Sequence, residues 1–173
     1  RARQMNLLVI GDPHAHPDYD NNRFTALGKF IAKEKPQVIV CIGDMADMPS
    51  LSSYDKGTKG FEGRRYKKDV KAVIDAQEKL FAPIKRIRGY KPKLHMCLGN
   101  HEDRITRAIN NTPELDGAIG IEDLQFGVPL MPVLIGFLVV PTIAKMLGSS
   151  DNNVFSASID IGLCKVIKHF RKR

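Results

Sequence analysis

Three apolar runs separated by two stretches of helical periodicity set the pattern of this chain. Residues 5–10 (MNLLVI), 37–43 (QVIVCIG) and 93–99 (KLHMCLG) are short and dominated by apolar side chains. Runs of that length predict strands, and near-continuous ones predict strands covered on both faces. Phe24, Leu27, Phe30 and Ile31 recur at helical spacing over 21–34, and Pro36 ends that helix. Over 65–88, Val70, Val73, Ile74, Ala76, Leu80, Ile84 and Ile87 make one apolar stripe, which Pro83 is expected to break or kink. A further helix starts within 102–110, GIEDLQF (120–126) reads as helical, and Gly57, Gly60 and Gly63 mark a long loop between the second strand and its helix. Alternating strands and helices predict an α/β fold, a sheet of mainly parallel strands flanked by helices. Ligands in such sheets collect at the carboxyl ends of the strands.

Beyond residue 126 the pattern changes. Residues 128–144 (VPLMPVLIGFLVVPTIA) carry no charge, and 155–170 alternate in part before a basic tip, Arg171, Lys172 and Arg173. A membrane helix needs about 20 apolar residues, and Pro129, Pro132 and Pro141 argue against one here. A buried strand pair fits the run as well. The chain therefore divides into an α/β domain over 1–126 and an apolar and basic tail over 127–173, packed on the same domain.

Composition agrees with one globular domain. The chain has 173 residues, 43% hydrophobic and 27% charged, enough to bury a core. Three cysteines argue against a disulfide framework. Cys41 and Cys97 fall in strand-like runs as core thiols, Cys164 carries no signal, and the pattern fits a reducing cytoplasm. The apolar run after RARQ is too short for a signal peptide, and Met5 reads as a natural start. The net charge of +8 is concentrated: Lys56 to Lys93 holds thirteen Lys or Arg against four Asp or Glu. Such a segment is either a solvated helix face or a surface for phosphates, nucleic acid included.

The chemistry lies at the strand ends. LLVIGDPH, IVCIGDMAD and HMCLGNHED share one grammar: an apolar strand, then glycine, then Asp or Asn. Glycine lets the backbone turn without a Cβ clash. Parallel strands then set Asp12, Asp44 and Asn100 along one edge, with His14 and His101 beside them. One such Asp alone would read as a helix cap. Three tips alike read as a metal site, whose oxygens and imidazoles suit Mn²⁺, Fe or Zn²⁺ better than a thiolate metal.

The set D-x-H, G-D-x-x-D and G-N-H-E resembles the calcineurin-like metallophosphoesterase superfamily, in its small phage and bacterial form. The resemblance implies two divalent ions, Mn²⁺ foremost, with Fe, Zn²⁺, Ni²⁺ and Mg²⁺ as alternatives. It implies that Asp12 and His14 bind the first ion, that Asp44 bridges both and that Asn100 binds the second. His101 would protonate the leaving oxygen or stabilise the transition state, with Asp47 orienting its ring. Protein phosphatases of the family follow that second Asp with an arginine that contacts phosphate. Met48 stands there instead, which points to a phosphodiester substrate, nucleic acid among the candidates.

The family's later ligands, a lone His and a G-H-x-H pair, have no counterpart: after His101 the one remaining histidine is His169, in IKHFRKR. A catalytically incomplete relative that binds phosphate or nucleic acid without turnover is therefore the alternative. No residue is singled out for substrate contact. His16, outside the motif, is expected on the loop surface, and His95 as a hydrogen-bonded structural histidine within its strand.

Overall fold

A computed structural model describes residues 6–127, 130–131 and 165–167. The predicted order is observed: β1 (Leu7–Ile10), α1 (Asn22–Glu34), β2 (Val38–Cys41), α2 (Tyr66–Lys85), β3 (Lys93–Cys97) and α3 (Asp103–Asn111). Two short strands follow, β4 (Leu130–Met131) and β5 (Lys165–Ile167). They give a five-stranded sheet in the order β4-β3-β2-β1-β5, parallel throughout except for the β1–β5 pair. The register sets Ile10 beside Cys41 and Cys41 beside Met96, so the three strands that precede the motifs end level with one another. Most of 128–144, most of 155–170, Cys164, His169 and the basic tip lie outside the described residues.

Strand alternation sorts the core. Leu8, Ile10, Ile39, Cys41 and Met96 join one cluster with Phe24 and Ile31 of α1 and Val73, Ala76, Leu80 and Ile84 of α2. The other face carries Leu7, Val38 and Val40, also buried, as the continuous apolar runs predicted. The two helices approach closely at Gly28, where a Cβ would overlap the Leu80 carbonyl and touch Pro83 Cδ at 3.1 Å.

Two sequence expectations are corrected. Pro83 does not break α2, which runs on to Lys85. It falls in the last turn, where the lost N–H costs one helical bond, and its ring fills the space left by Gly28. The stretch 120–126 is no α-helix: a 3₁₀ turn spans Ile121–Leu124, and Gln125 closes it in the left-handed region at φ 51°. Asp123 Oδ2 there accepts from Gly120 N at 2.9 Å and from the Tyr66 hydroxyl at 2.7 Å, local bonds that compete with a helical ladder.

Candidate metal centre

Beyond the last paired residues, β1 and β2 keep bonding. Ile42 N donates to Ile10 O at 3.0 Å, His14 N to Asp44 O at 2.9 Å, Ala15 N to Met45 O at 2.8 Å and Asp47 N to Ala15 O at 3.1 Å. The tips of two neighbouring strands are thereby locked in step, and His14 is brought to Asp44 and Asp47. From α1, Arg23 Nη2 donates to the carbonyls of Pro13 and His14, at 3.0 and 2.6 Å, and holds the turn from behind.

The third tip is tied in by Glu102, which is fully buried. Its Oε2 accepts from Asp44 N at 3.0 Å and Gly99 N at 2.7 Å, and its Oε1 from Ala46 N at 2.8 Å. Burial raises its pKa, and the Ala46 and Gly99 N–H groups oppose that rise without cancelling it. Asp44 Oδ1 accepts from His101 N at 2.8 Å and completes the join.

The three glycines turn out to differ. Gly43 adopts φ 115°, a conformation side chains rarely take. Gly99 has an ordinary φ but no room, because a Cβ would overlap the Asp44 carboxylate. Gly11 has neither constraint, with Ile42 Cδ1 nearest at 3.7 Å. At the first tip the left-handed turn is made instead by Asp12 (φ 37°) and His14 (φ 47°), and at the second Asp44 (φ 52°) follows Gly43. Asp and His are among the non-glycine types that tolerate this region best, and such strain collects at functional sites.

The side chains converge. Ligand-capable atoms of His14, Asp44 and His101 lie within 4.8 Å of one another. Asp12 is exposed and stands outside that group, although its charge helps to raise the His14 pKa. Asn100 is exposed, and its backbone oxygen accepts from Arg107 Nη2 at 2.7 Å. The donors are carboxylate and imidazole, a set that fits a divalent ion of the Mn²⁺, Fe or Zn²⁺ kind. Among the described residues the thiols, Cys41 and Cys97, stay out of the cluster, Cys41 being buried with its pKa pushed up to about 12 by burial.

Asp47 sits at the centre of the imidazoles. Its Oδ1 is 2.7 Å from His101 Nδ1 and 3.6 Å from His14 Nδ1, and its Oδ2 is 3.7 Å from His16 Nε2. The His14 and His101 rings meet edge to face at 4.5 Å between centroids. Burial pushes the Asp47 carboxyl up, but hydrogen bonds from His101 and His14 outweigh it and hold the group well below the usual carboxylate range. The same hydrogen bond raises His14 above its ordinary value, against its partial burial. His101 Nδ1 also lies 2.8 Å from the Asp47 carbonyl, so both neighbours of that nitrogen are acceptors and the proton belongs on it. Nε2 is left as the acceptor.

Sequence reading missed several of these groups. His16 is not a surface residue: its side chain is 12% exposed, with one edge toward Asp47 and the ring 4.7 Å from Tyr19. Its Nδ1 accepts from Asp18 N at 3.0 Å, which turns Nε2 toward the carboxylate. The His95 side chain makes no hydrogen bond among the described residues, against expectation, and strand alternation sets it on the face of its register partner Val40. Glu102 was part of a quoted motif, but its fully buried bridge between two loops is invisible along the chain. Arg104 on α3 carried no sequence signal beyond its charge.

Comparisons with known proteins agree with this geometry. The model of the calcineurin-like phosphoesterase family matches residues 5–153. Gene 54 protein of Mycobacterium phage D29 is 31% identical over 98 residues, 57% of this chain and 36% of that protein. Gene 54 protein of Mycobacterium phage L5 is 30% identical over 98 residues, with the same shares. The chain thus aligns with about a third of the length of these curated relatives. With an α/β sheet whose parallel strands end in this imidazole and carboxylate cluster, and a family match that runs through it, the chain belongs to the calcineurin-like phosphoesterases.

Proposed function

We propose that this chain is a divalent-metal-dependent phosphodiesterase, with nucleic acid as the substrate class its surface favours. The observation that carries the reading is the convergence of His14, Asp44 and His101 within 4.8 Å, beside an Asp47–His101 contact of 2.7 Å. In this reading Asp12, His14, Asp44 and Asn100 hold the metal. A bound divalent ion supplies positive charge to phosphoryl oxygens and acidifies a water at neutral pH. Asp47 fixes the His101 ring with Nε2 free toward the substrate side, and Nε2 is the atom that would pass a proton to the leaving oxygen. Glu102 keeps the second and third tips in register, which an in-line displacement requires.

The diester and nucleic-acid preference rests on two observations. Met48 is fully buried in the core, so position 48 offers no cation to a terminal phosphate. Beside the cluster an open groove of about 460 Å³ runs between the loop at 16–21 and α2; Lys68 and Lys71 line it together with Asp18, Asp20 and Asp75, the last paired with Lys79 at 2.9 Å. Tyr19, 68% exposed, stands at its mouth as a surface on which a base could stack.

The test is hydrolysis of a chromogenic phosphodiester in Mn²⁺ by the wild-type chain, His101→Ala and Asp44→Asn. Turnover lost in both variants is expected; turnover that survives in Asp44→Asn would sink the metal assignment. A second reading, binding without turnover, is favoured by the basic segment Lys56 to Lys93, whose thirteen Lys or Arg against four Asp or Glu attract phosphate without any catalytic group. Salt-sensitive DNA binding with no hydrolysis in the wild-type chain is its signature.

A further inference from the structure

Arg104 is placed against the electrostatics of its own helix. It lies in the first turn of α3, where backbone N–H groups already give a positive end and Asp103 is the residue that suits it. Its side chain is nevertheless 14% exposed, folded back over the second strand tip. Nη1 donates to the Asp47 carbonyl at 2.8 Å and reaches the Met48 carbonyl at 3.4 Å. The same nitrogen is 3.8 Å from Asp47 Oδ1. Nη2 has one contact among the described residues, to His101 Nε2 at 3.4 Å.

That division of labour is informative. A guanidinium keeps its charge at any pH and has five N–H donors in a fixed plane. One nitrogen here anchors the group, and the other points at the acceptor edge of His101. A contact of 3.4 Å is a weak hydrogen bond, whereas N–H bonds to an anionic oxygen run to about 2.7–2.9 Å. An underused donor on a mostly buried cation is costly, and an oxygen anion would satisfy it.

We propose that Arg104 is the phosphate-binding cation of this site, its Nη2 taking a non-bridging oxygen of the substrate phosphoryl group beside His101 Nε2. This rests on the phosphoesterase reading and deepens it. Position 48 is a buried methionine, so the cation comes from a different element, α3. The Nη1 bonds to the carbonyls of Asp47 and Met48 preorganise the group, so anion binding orders no free side chain.

The test is calorimetric titration of the Mn²⁺-loaded chain with inorganic phosphate, in wild type, Arg104→Lys and Arg104→Gln, with the thermal midpoint recorded for each. Loss of a charge-assisted bond should weaken phosphate binding by about tenfold to a hundredfold in Arg104→Gln, and by less in Arg104→Lys. KM for the chromogenic phosphodiester should rise with it. A clamp that only braced the loop would lower the thermal midpoint and leave the phosphate Kd of the folded protein unchanged. Binding within twofold of wild type in folded Arg104→Gln therefore overturns the proposal. Should that variant not fold, the wild-type chain decides: its Arg104 guanidinium ¹⁵N signal must shift on phosphate addition with the calorimetric Kd, and a signal that stays still overturns the proposal. Arg104-dependent phosphate binding without turnover would remove the hydrolytic reading and keep the site. Turnover with Arg104-independent binding would do the reverse. A wild-type chain that binds no phosphate ends both.

Discussion

The helix pair α1–α2 and the three strand tips are both close-packed, but by opposite means. Between the helices the contact is steric: Gly28 lets the Leu80 carbonyl come within the space of a side chain, and apolar residues fill the rest. At the tips the contact is directional. One buried carboxylate, Glu102, collects three backbone N–H groups from two loops, and Gly99 yields its side-chain volume to Asp44. Apolar packing is graded, since a cavity or an extra methyl costs in proportion to its size. A hydrogen-bonded bridge is closer to all-or-none, because each buried donor left without a partner carries its full desolvation cost.

Four substitutions separate the two regions. Glu102→Ala should have the largest effect: three N–H groups lose their acceptor, each costing about 1–3 kcal/mol. A fall in urea stability of at least about 3 kcal/mol is expected, together with weaker Mn²⁺ binding. An unchanged Mn²⁺ affinity would show that Glu102 braces the fold without positioning the site. Gly28→Ala should cost about 1–3 kcal/mol by overpacking, with Mn²⁺ affinity in the folded protein retained. Loss of metal binding there would mean that the helix layer and the tips are one unit.

The third is pH-dependent. Asp47 is lowered in the fold, so its contacts contribute full stability above the ordinary carboxylate pKa of about 3.9, declining as pH falls below it. His14 is raised, so its share is complete below about 6.5 and lost as pH rises through its folded value. In the metal-free protein the urea-midpoint gap between wild type and Asp47→Asn should therefore be widest from about pH 4 to 6.5, near 1 kcal/mol. A gap that is flat with pH would disprove the charge pairing. The smallest effect is expected of Lys71→Ala, in the groove beside the tips: a few-fold loss of single-stranded DNA affinity and a salt slope reduced by about one. An identical slope would take the groove off the nucleic-acid path.

The motifs brought His14, Asp44, Asp47 and His101 into view because a strand, a turn and a short polar triplet are local features. His16 and Arg104 escaped because their roles depend on direction. The bond from Asp18 N to His16 Nδ1 turns that ring inward, and Arg104 reaches back from α3 to carbonyls of another loop. Pro83 misled for a related reason: its cost as a helix breaker was read without the Gly28 gap that receives its ring.

By itself, then, the sequence determined the alternation of strands and helices, the parallel core and the residue types at the sheet rim. Hydrophobic periodicity and strand length are properties of neighbouring residues and need no knowledge of the rest. Only the tertiary structure decided which polar groups face one another: that Glu102 is buried between two tips, that Asp47 is shared by three histidines, and that an arginine looks into the site. Those choices are made by hydrogen-bond direction across distant segments, which composition and spacing do not encode.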